Sequence, residues 1–291
     1  MSHKISIVTP NLDTGRFLAA TMDSVLAADP GGLEYIVVDG GSRDDSRAII
    51  EARQQRLAHW RSEKDSGLYD AVNKGFELSS GDVMGWLNAG DLYFPDALRV
   101  VTEVFTAFPE IKWLTSRVIS KLDEPGRLVW QSLNMGYTRA SFMGGEHLTG
   151  LKPGLSLVTV QQESTFWRRS LWERAGGRLD ETLKLAADFE LWARLFRHAE
   201  LCAVSAPLGA FRQHADQLSA RHWNAYVAEA RAVLGREGGK VKPRLLSDLS
   251  VAARLAMPRP LRPLAHRLRV FAPALVCEFD FDRRGWRLGR L

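Results

Sequence analysis

The sequence predicts an α/β protein: a mostly parallel central sheet flanked by helices, followed by a helical C-terminal tail. Strand-like and helix-like segments alternate through the first hundred residues, and the connections between them are short. The segment Tyr35-Ile36-Val37-Val38 is apolar on both faces, as strands buried in parallel sheets are. Three apolar segments run into polar, carboxylate-bearing loops, at Ile36–Ser42, Ser62–Gly75 and Gly85–Asp91. Ligands of open parallel sheets bind beyond the carboxyl ends of the strands. Three acidic loops at one such edge suit a metal-bridged diphosphate better than a bare anion.

Taken in order, Lys4–Thr9 is the first strand, closed by Pro10. Phe17, Leu18, Thr21, Met22, Val25 and Leu26 make a 3.6-residue stripe, hence a helix, which Asp29-Pro30-Gly31-Gly32 breaks. Leu33–Asp39 is the second strand. Ser42 and Asp45 form an S-x-x-D start for a helix over Asp44–Leu57. The strand His59–Glu63 leads to a helix over Tyr69–Leu78, and Val83–Leu87 is the next strand. Pro95 opens a helix that runs to Phe108, because a first-turn residue has no use for its N–H. Lys112–Ser120 and Arg127–Gln131 then pair across a turn at Asp123–Gly126. Residues 134–155, glycine-rich and irregular, are read as a mobile loop that can serve as a lid. Val158–Trp167 is a strand, Ser170–Ala175 a short helix, and Asp188–His198 a longer one with Phe189, Trp192, Leu195 and Phe196 inward. The boundaries expected are a domain over 1–222, with a donor half to 110 and an acceptor half beyond it. A basic helical extension over 223–291 follows.

With 291 residues and 45% hydrophobic side chains, the chain can bury a sizeable core, and global disorder is excluded. Cys202 and Cys277 are its only cysteines, without CxxC spacing, and read as incidental thiols of a reducing cytosol. The start shows no secretory h-region and no run is apolar enough to span a bilayer, so a cytoplasmic location is expected. The net charge of +5 is uneven: residues 231–291 hold 14 Lys/Arg against 5 Asp/Glu, a balance of +9, which leaves −4 for residues 1–230. Nucleic acid is not expected as a partner, since the basic region carries no recognisable nucleic-acid-binding signature. Between Ser247 and Val276 apolar residues alternate with arginines, a pattern suited to peripheral contact with anionic lipid on the inner face of the cell membrane. Packing on the domain, or on a second subunit in a homodimer, is the alternative reading of that segment.

The candidate site residues follow from the acidic loops. Asp39 ends a buried strand, where a carboxylate can accept hydrogen bonds from a base or ribose, or can simply cap the next helix. Asp65, Tyr69, Asp70, Asn73 and Lys74 lie within one loop and two helical turns, and Asp70, Asn73 and Lys74 share one helix face. Asn88-Ala89-Gly90-Asp91 follows an apolar strand, and a carboxylate there can hold Mg²⁺ or Mn²⁺, since hard cations take oxygen ligands and keep waters or phosphates. Asp188 and Glu190 open an amphipathic helix, where they suit the macrodipole and either can act as a general base.

Six motifs in order resemble the inverting family-2 glycosyltransferases of the GT-A (Rossmann-like) fold, in particular bacterial surface-polysaccharide members of the colanic-acid type. They are IVVDGGS, SEKDSGLYDAVNKG, WLNAGD, QESTFWRR, GGRLD and DFELW, preceded by Ser6-Ile7-Val8-Thr9-Pro10 and covering residues 4–222. The resemblance implies transfer of a sugar from a nucleotide-sugar donor, UDP- or GDP-linked, to a hydroxyl of a glycan or lipid-linked glycan. By it Thr9, Asp39 and Asp65 hold the nucleotide, with Ser42, Tyr69, Asn73, Lys74, Asn88 and Gly90 in support. Asp91 matches the last Asp of the metal motif, for Mn²⁺ or Mg²⁺, and Asp188 the catalytic base. His214 is either a further metal or phosphate ligand or a structural histidine. Gly90 stands where many relatives carry Asp, and Ala187 where the family often has Glu. Two other readings stay open: a nucleotidyltransferase, against which Thr9-Pro10-Asn11-Leu12-Asp13 lacks a glycine-rich phosphate loop, and a non-catalytic scaffold that binds nucleotide sugars.

Overall fold

The computed structural model describes residues 3–148, 159–215, 217, 221–242 and 272–291. The chain begins with β1 (Ile5–Asn11), α1 (Gly15–Ala27), β2 (Leu33–Asp39), α2 (Ser46–Glu51), β3 (His59–Ser62), α3 (Leu68–Glu77) and β4 (Val83–Trp86). Next come β5 (Leu92–Tyr93), α4 (Ala97–Ala107), β6 (Trp113–Ser116), β7 (Val118–Leu122), β8 (Leu128–Leu133) and α5 (Arg139–Met143). Then follow β9 (Thr165–Arg168), α6 (Arg169–Arg174), α7 (Ala187–Leu195), β10 (Cys202–Val204) and β11 (Gly209–Arg212). The helix α8 (Trp223–Arg236) and the hairpin β12 (Leu275–Asp280) and β13 (Gly285–Arg290) complete the described chain.

Nine strands form the central sheet in the order β13-β12-β10-β6-β9-β4-β1-β2-β3. All run the same way except β9 and β13. Side chains alternate between faces along each strand, and this divides the core in two. Val8, Met84 and Trp86 pack toward α3, α6, α7 and α8. Ile5, Ile7, Val83 and Leu87 pack toward α1 and α4. A second sheet, β5-β11-β7-β8, stands beyond the carboxyl edge of the first, because β7 and β11 continue from β6 and β10 past their ends.

The expected α/β class and parallel sheet are present, and several boundaries move for physical reasons. Pro10 lies inside β1, where β4 has already stopped pairing at Val8–Trp86, so its missing N–H interrupts no ladder. Ser42 does not cap a helix; its hydroxyl bonds Asp39, Asn11 and the Asp13 N–H, and α2 is a short helix opened by Asp44 and Asp45. The expected strand Lys112–Ser120 breaks at Arg117. That buried side chain bonds the Asn134 carbonyl, Ser205 and Glu278 and carries the chain from one sheet to the other.

Two larger expectations are corrected. Residues 134–148 are not a loose lid: Thr138 makes a capping box at α5, and Tyr137, Phe142 and Leu148 are buried. Residues 149–158 lie outside the described residues. The C-terminal region is helical at α8 but ends in β-strands, because β12 adds its backbone to β10 and continues the central sheet. Most of the amphipathic stretch 247–276 lies outside the described residues. No helix among the described residues is long and apolar enough to cross a membrane.

Candidate active site at the carboxyl edge of the sheet

The β1–β2 register sets Asn11 opposite Asp39, and this pairing builds the first part of the site. The Asp39 carboxylate accepts hydrogen bonds from Asn11 Nδ2 (2.7 Å), Ser62 Oγ (2.7 Å), the Ser42 hydroxyl and the Ser42 N–H (3.1 Å). Burial opposes its charge, but the bonds from Ser42, Ser62 and Asn11 outweigh burial and hold it below the usual carboxylate range. Asp65 lies against Gly40: a Cβ added there would stand 2.6 Å from Asp65 Oδ2, so only glycine permits this approach. Burial, then the charges of Asp70 and Asp39, push the Asp65 carboxyl up. Thr9 is fully buried beneath this pair, its hydroxyl accepting from Tyr35 (2.9 Å).

Asp91 occupies the second part. Gly90 precedes it with φ +127°, a conformation that a side chain would strain, which gives a physical reason for glycine at that position. Asp91 is only 4% exposed, and its Oδ1 accepts the Arg212 N–H (2.9 Å). The Arg212 guanidinium donates to the Gly90 carbonyl (2.6 Å) and the Glu124 carbonyl (2.6 Å) and lies over Phe17. The His214 ring packs on the same Phe17, its centroid 4.9 Å away. Asn88 donates to Gln162 Oε1 (3.0 Å), and Gln162 donates to the Trp86 carbonyl (2.6 Å).

Asp188, at the head of α7, forms the third part. Its Oδ1 is buried with no hydrogen-bond partner, and burial pushes its carboxyl up to about 6 against the Phe189 N–H and its own. Glu229 of α8 raises it further, while accepting the N–H groups of Lys184, Leu185 and Ala186 just ahead of α7. Tyr69 accepts the Ala187 N–H and, with Tyr226, lies within the field of the Asp188 charge. Glu190 is committed elsewhere, bonded to Arg194 (2.8–3.0 Å) and Arg236 (3.3 Å).

These parts leave some expected residues out. Asn73 is buried and its amide is used on the Leu179 main chain and Glu181, so it clamps α3 to the turn before α7. Lys74 pairs with Asp70 (3.0 Å). Three residues given no role of their own by the sequence reading join these parts: Arg212, Glu229 and Glu163. Glu163 is 3% exposed with Oε1 unpartnered, and burial, followed by the charge of Asp91, pushes its carboxyl well up. Asp188 acts on it as well, which sets Glu163 among the acidic groups of both later parts.

Among the described residues no three His, Cys, Asp or Glu side chains form an all-protein metal cage. A cation here would rest on one buried carboxylate, Asp91, with ligand oxygens completing its shell, a donor set that hard cations accept. That set fits Mn²⁺ or Mg²⁺ bound together with a diphosphate.

The model of the family described as "Glycosyl transferase family 2" matches residues 6–174, more than half the chain. The chain is 28% identical over 200 residues to an uncharacterized glycosyltransferase of Mycobacterium tuberculosis, covering 68% of this chain and 70% of that one. It is also 28% identical over 200 residues to a PGL/p-HBAD biosynthesis glycosyltransferase of Mycobacterium bovis, covering 67% and 71%. Residues 1–349 of S. aureus TarS in complex with UDP-GlcNAc superpose with TM-score 0.63 at 16% identity, over 92% of this chain and 76% of that one. Longer TarS is matched over 46% of its length. The mannosyltransferase PcManGT of Pyrobaculum calidifontis, in complex with GDP-Man and Mn²⁺, superposes with TM-score 0.56 at 16% identity, over 94% and 82%.

Proposed function

This chain belongs to glycosyl transferase family 2, and on that premise we propose that it is an inverting transferase of cell-surface polysaccharide synthesis. It moves a sugar from a UDP- or GDP-linked donor to a hydroxyl of a glycan or lipid-linked glycan. The observation that carries this reading is the single sheet edge holding Asp39 and Asp65, then Asp91, then Asp188 with its buried unpartnered oxygen. UDP-GlcNAc on TarS and GDP-Man with Mn²⁺ on PcManGT, two proteins of like fold, support the donor class.

Asp39 and Asp65 hold the nucleoside, and Asp91 holds a divalent cation that, when bound, offsets charge developing on the diphosphate. The Asp188 carboxylate accepts the acceptor hydroxyl proton as that hydroxyl oxygen bonds the anomeric carbon. The bond from that carbon to the diphosphate breaks with its electrons on the nucleoside diphosphate. A base raised to about 6 is ionised at neutral pH yet stronger than an ordinary aspartate. Glu190, paired with Arg194, holds the turn instead of sharing this role.

The test is a thermal-shift screen of UDP- and GDP-sugars with Mn²⁺, followed by NMR of the anomeric proton in the product. Stabilisation by one donor and inverted configuration are expected. No shift with any nucleotide sugar, or a retained configuration, overturns the proposal. Binding of the donor without hydrolysis or transfer would favour a scaffold.

A further inference from the structure

Eight large apolar side chains are exposed among the described residues, and six of them belong to two hairpins. Leu128, Val129, Trp130 and Leu133 lie on β8, and Phe279 and Phe281 at the tip of β12–β13, with Leu133 63% and Phe281 84% exposed. Monomeric proteins seldom leave such residues together at the surface. The two hairpins are neighbours. Arg117 bonds the carbonyl of Asn134, just past β8, and the carboxylate of Glu278 on β12 (3.0 Å).

Their position follows from the sheet. Because β12 runs parallel to β10, β6, β4 and β1, its tip emerges at the same edge as Asp39 and Asp91. It stands five strand spacings from β1, about 24 Å. The β7–β8 hairpin arises at that edge too, its turn held by Arg212 through Glu124. The apolar ridge therefore flanks the proposed site.

We infer that this ridge is a membrane-docking surface, which seats the site edge against a bilayer containing anionic lipid. Two features select a bilayer over a protein. Trp130 pairs with Lys121 and Leu128 with the next residue, Leu122, across a bulge at Val129, so Trp130 and Leu128 face opposite sides of the β7–β8 hairpin; a docked protein would cover one side, whereas immersion in the interface covers both. The charges are also arranged for anionic headgroups. Asp280 accepts the N–H groups of Asp282 and Arg283, Asp123 accepts that of Arg127, and Glu278 pairs with Arg117 and Arg287, so these acids are used within the hairpins. Arg127 and Arg283, with side chains 80% and 82% exposed, pair with Asp123 (2.7 Å) and Asp280 (3.9 Å); against the exposed Asp282 stand Arg284 at the same tip and Lys121 over the Trp130 ring at 5.1 Å, which leaves the two hairpins net basic. Aromatic rings flanked by basic groups suit the headgroup region.

Docking does not depend on the sugar chemistry, so it is tested apart from activity. The full chain is floated with phosphatidylcholine vesicles, with and without phosphatidylglycerol, at low salt. It should rise with the anionic vesicles. Trp130→Ser, Leu133→Ser and Phe281→Ser combined should lower binding by at least tenfold, since one large apolar side chain is worth about that factor. Thermal unfolding and donor hydrolysis should be unchanged. Should the triple variant fold poorly, Arg283→Glu with Arg284→Glu must weaken flotation on anionic vesicles alone. The inference falls if the wild type stays with the soluble fraction or if the ridge variants float like it. It falls also if light scattering finds a dimer that the triple variant splits, since the ridge would then cover a second copy.

Discussion

At the residue scale, the base role proposed for Asp188 ties the chemistry to one titration. The carboxylate must be ionised to accept a proton, so kcat/KM should rise with pH through about 6 and level off above it. Asp188→Asn should lose about 10²–10⁴-fold in turnover and the pH limb with it, while donor affinity persists. Stability runs the other way. The folded state holds this proton up to about 6 and the unfolded state only to its ordinary value of 3.8, so ionising Asp188 costs stability as pH rises between the two. Asp188→Asn should therefore melt higher than wild type at pH 7, a gain absent at pH 3.5. An inactive variant that melts lower at pH 7 would contradict this burial of the charge.

At the scale of elements, two clamps place the proposed base. Glu229 of α8 receives three N–H groups ahead of α7 and raises Asp188. Glu229→Ala should cost about 1–2 kcal/mol in urea unfolding and also shift the acid limb of the pH profile downward. A destabilised variant with an unmoved limb would separate Glu229 from the base. Asn73→Ala leaves the Leu179 N–H unpaired and should cost about 1–3 kcal/mol without changing nucleotide affinity. A lost affinity at full stability would restore the nucleotide role implied by family resemblance.

The same scale explains what was legible beforehand. The stripe of α1 is visible because it keeps one period over a full helix, and β1, β2 and β4 because each lies in a run of mostly apolar residues bounded by turn residues. Strands of two or three residues, such as β5 and β10, are too short to display a pattern. The break at Arg117 is invisible because its partners lie 17, 88 and 161 residues away. Asp39, Asp91 and Asp188 are legible as carboxylates at strand and helix ends. Arg212 meets Asp91 across 121 residues, and Glu163 looks like one polar position inside the expected strand Val158–Trp167, whereas the strand starts only at Thr165 and β9 is threaded between β4 and β6.

At the scale of the whole molecule, the C-terminal hairpin belongs to the central sheet, where Leu275–Cys277 cover β10. A chain ending near Gly238 would expose that strand and the buried Cys202, Ala203 and Val204, and it should aggregate on expression. A soluble, cooperatively unfolding truncation would show the hairpin to be dispensable. Basic residues near the terminus must then be probed by substitution within the intact chain.

The central claim is that the edge built by β1, β2 and β4 binds a nucleotide sugar with a divalent cation at Asp91. Asp91 is buried and accepts the Arg212 N–H, so Ala would open a void; Asn keeps the shape and that hydrogen bond but removes the charge. Calorimetric titration of wild type and Asp91→Asn is made with the donor that the thermal-shift screen selects, with and without Mn²⁺. Wild type should bind at least tenfold more tightly with Mn²⁺, about 1.4 kcal/mol, and Asp91→Asn should bind equally weakly in both conditions. A variant that keeps the full Mn²⁺ enhancement would contradict the account.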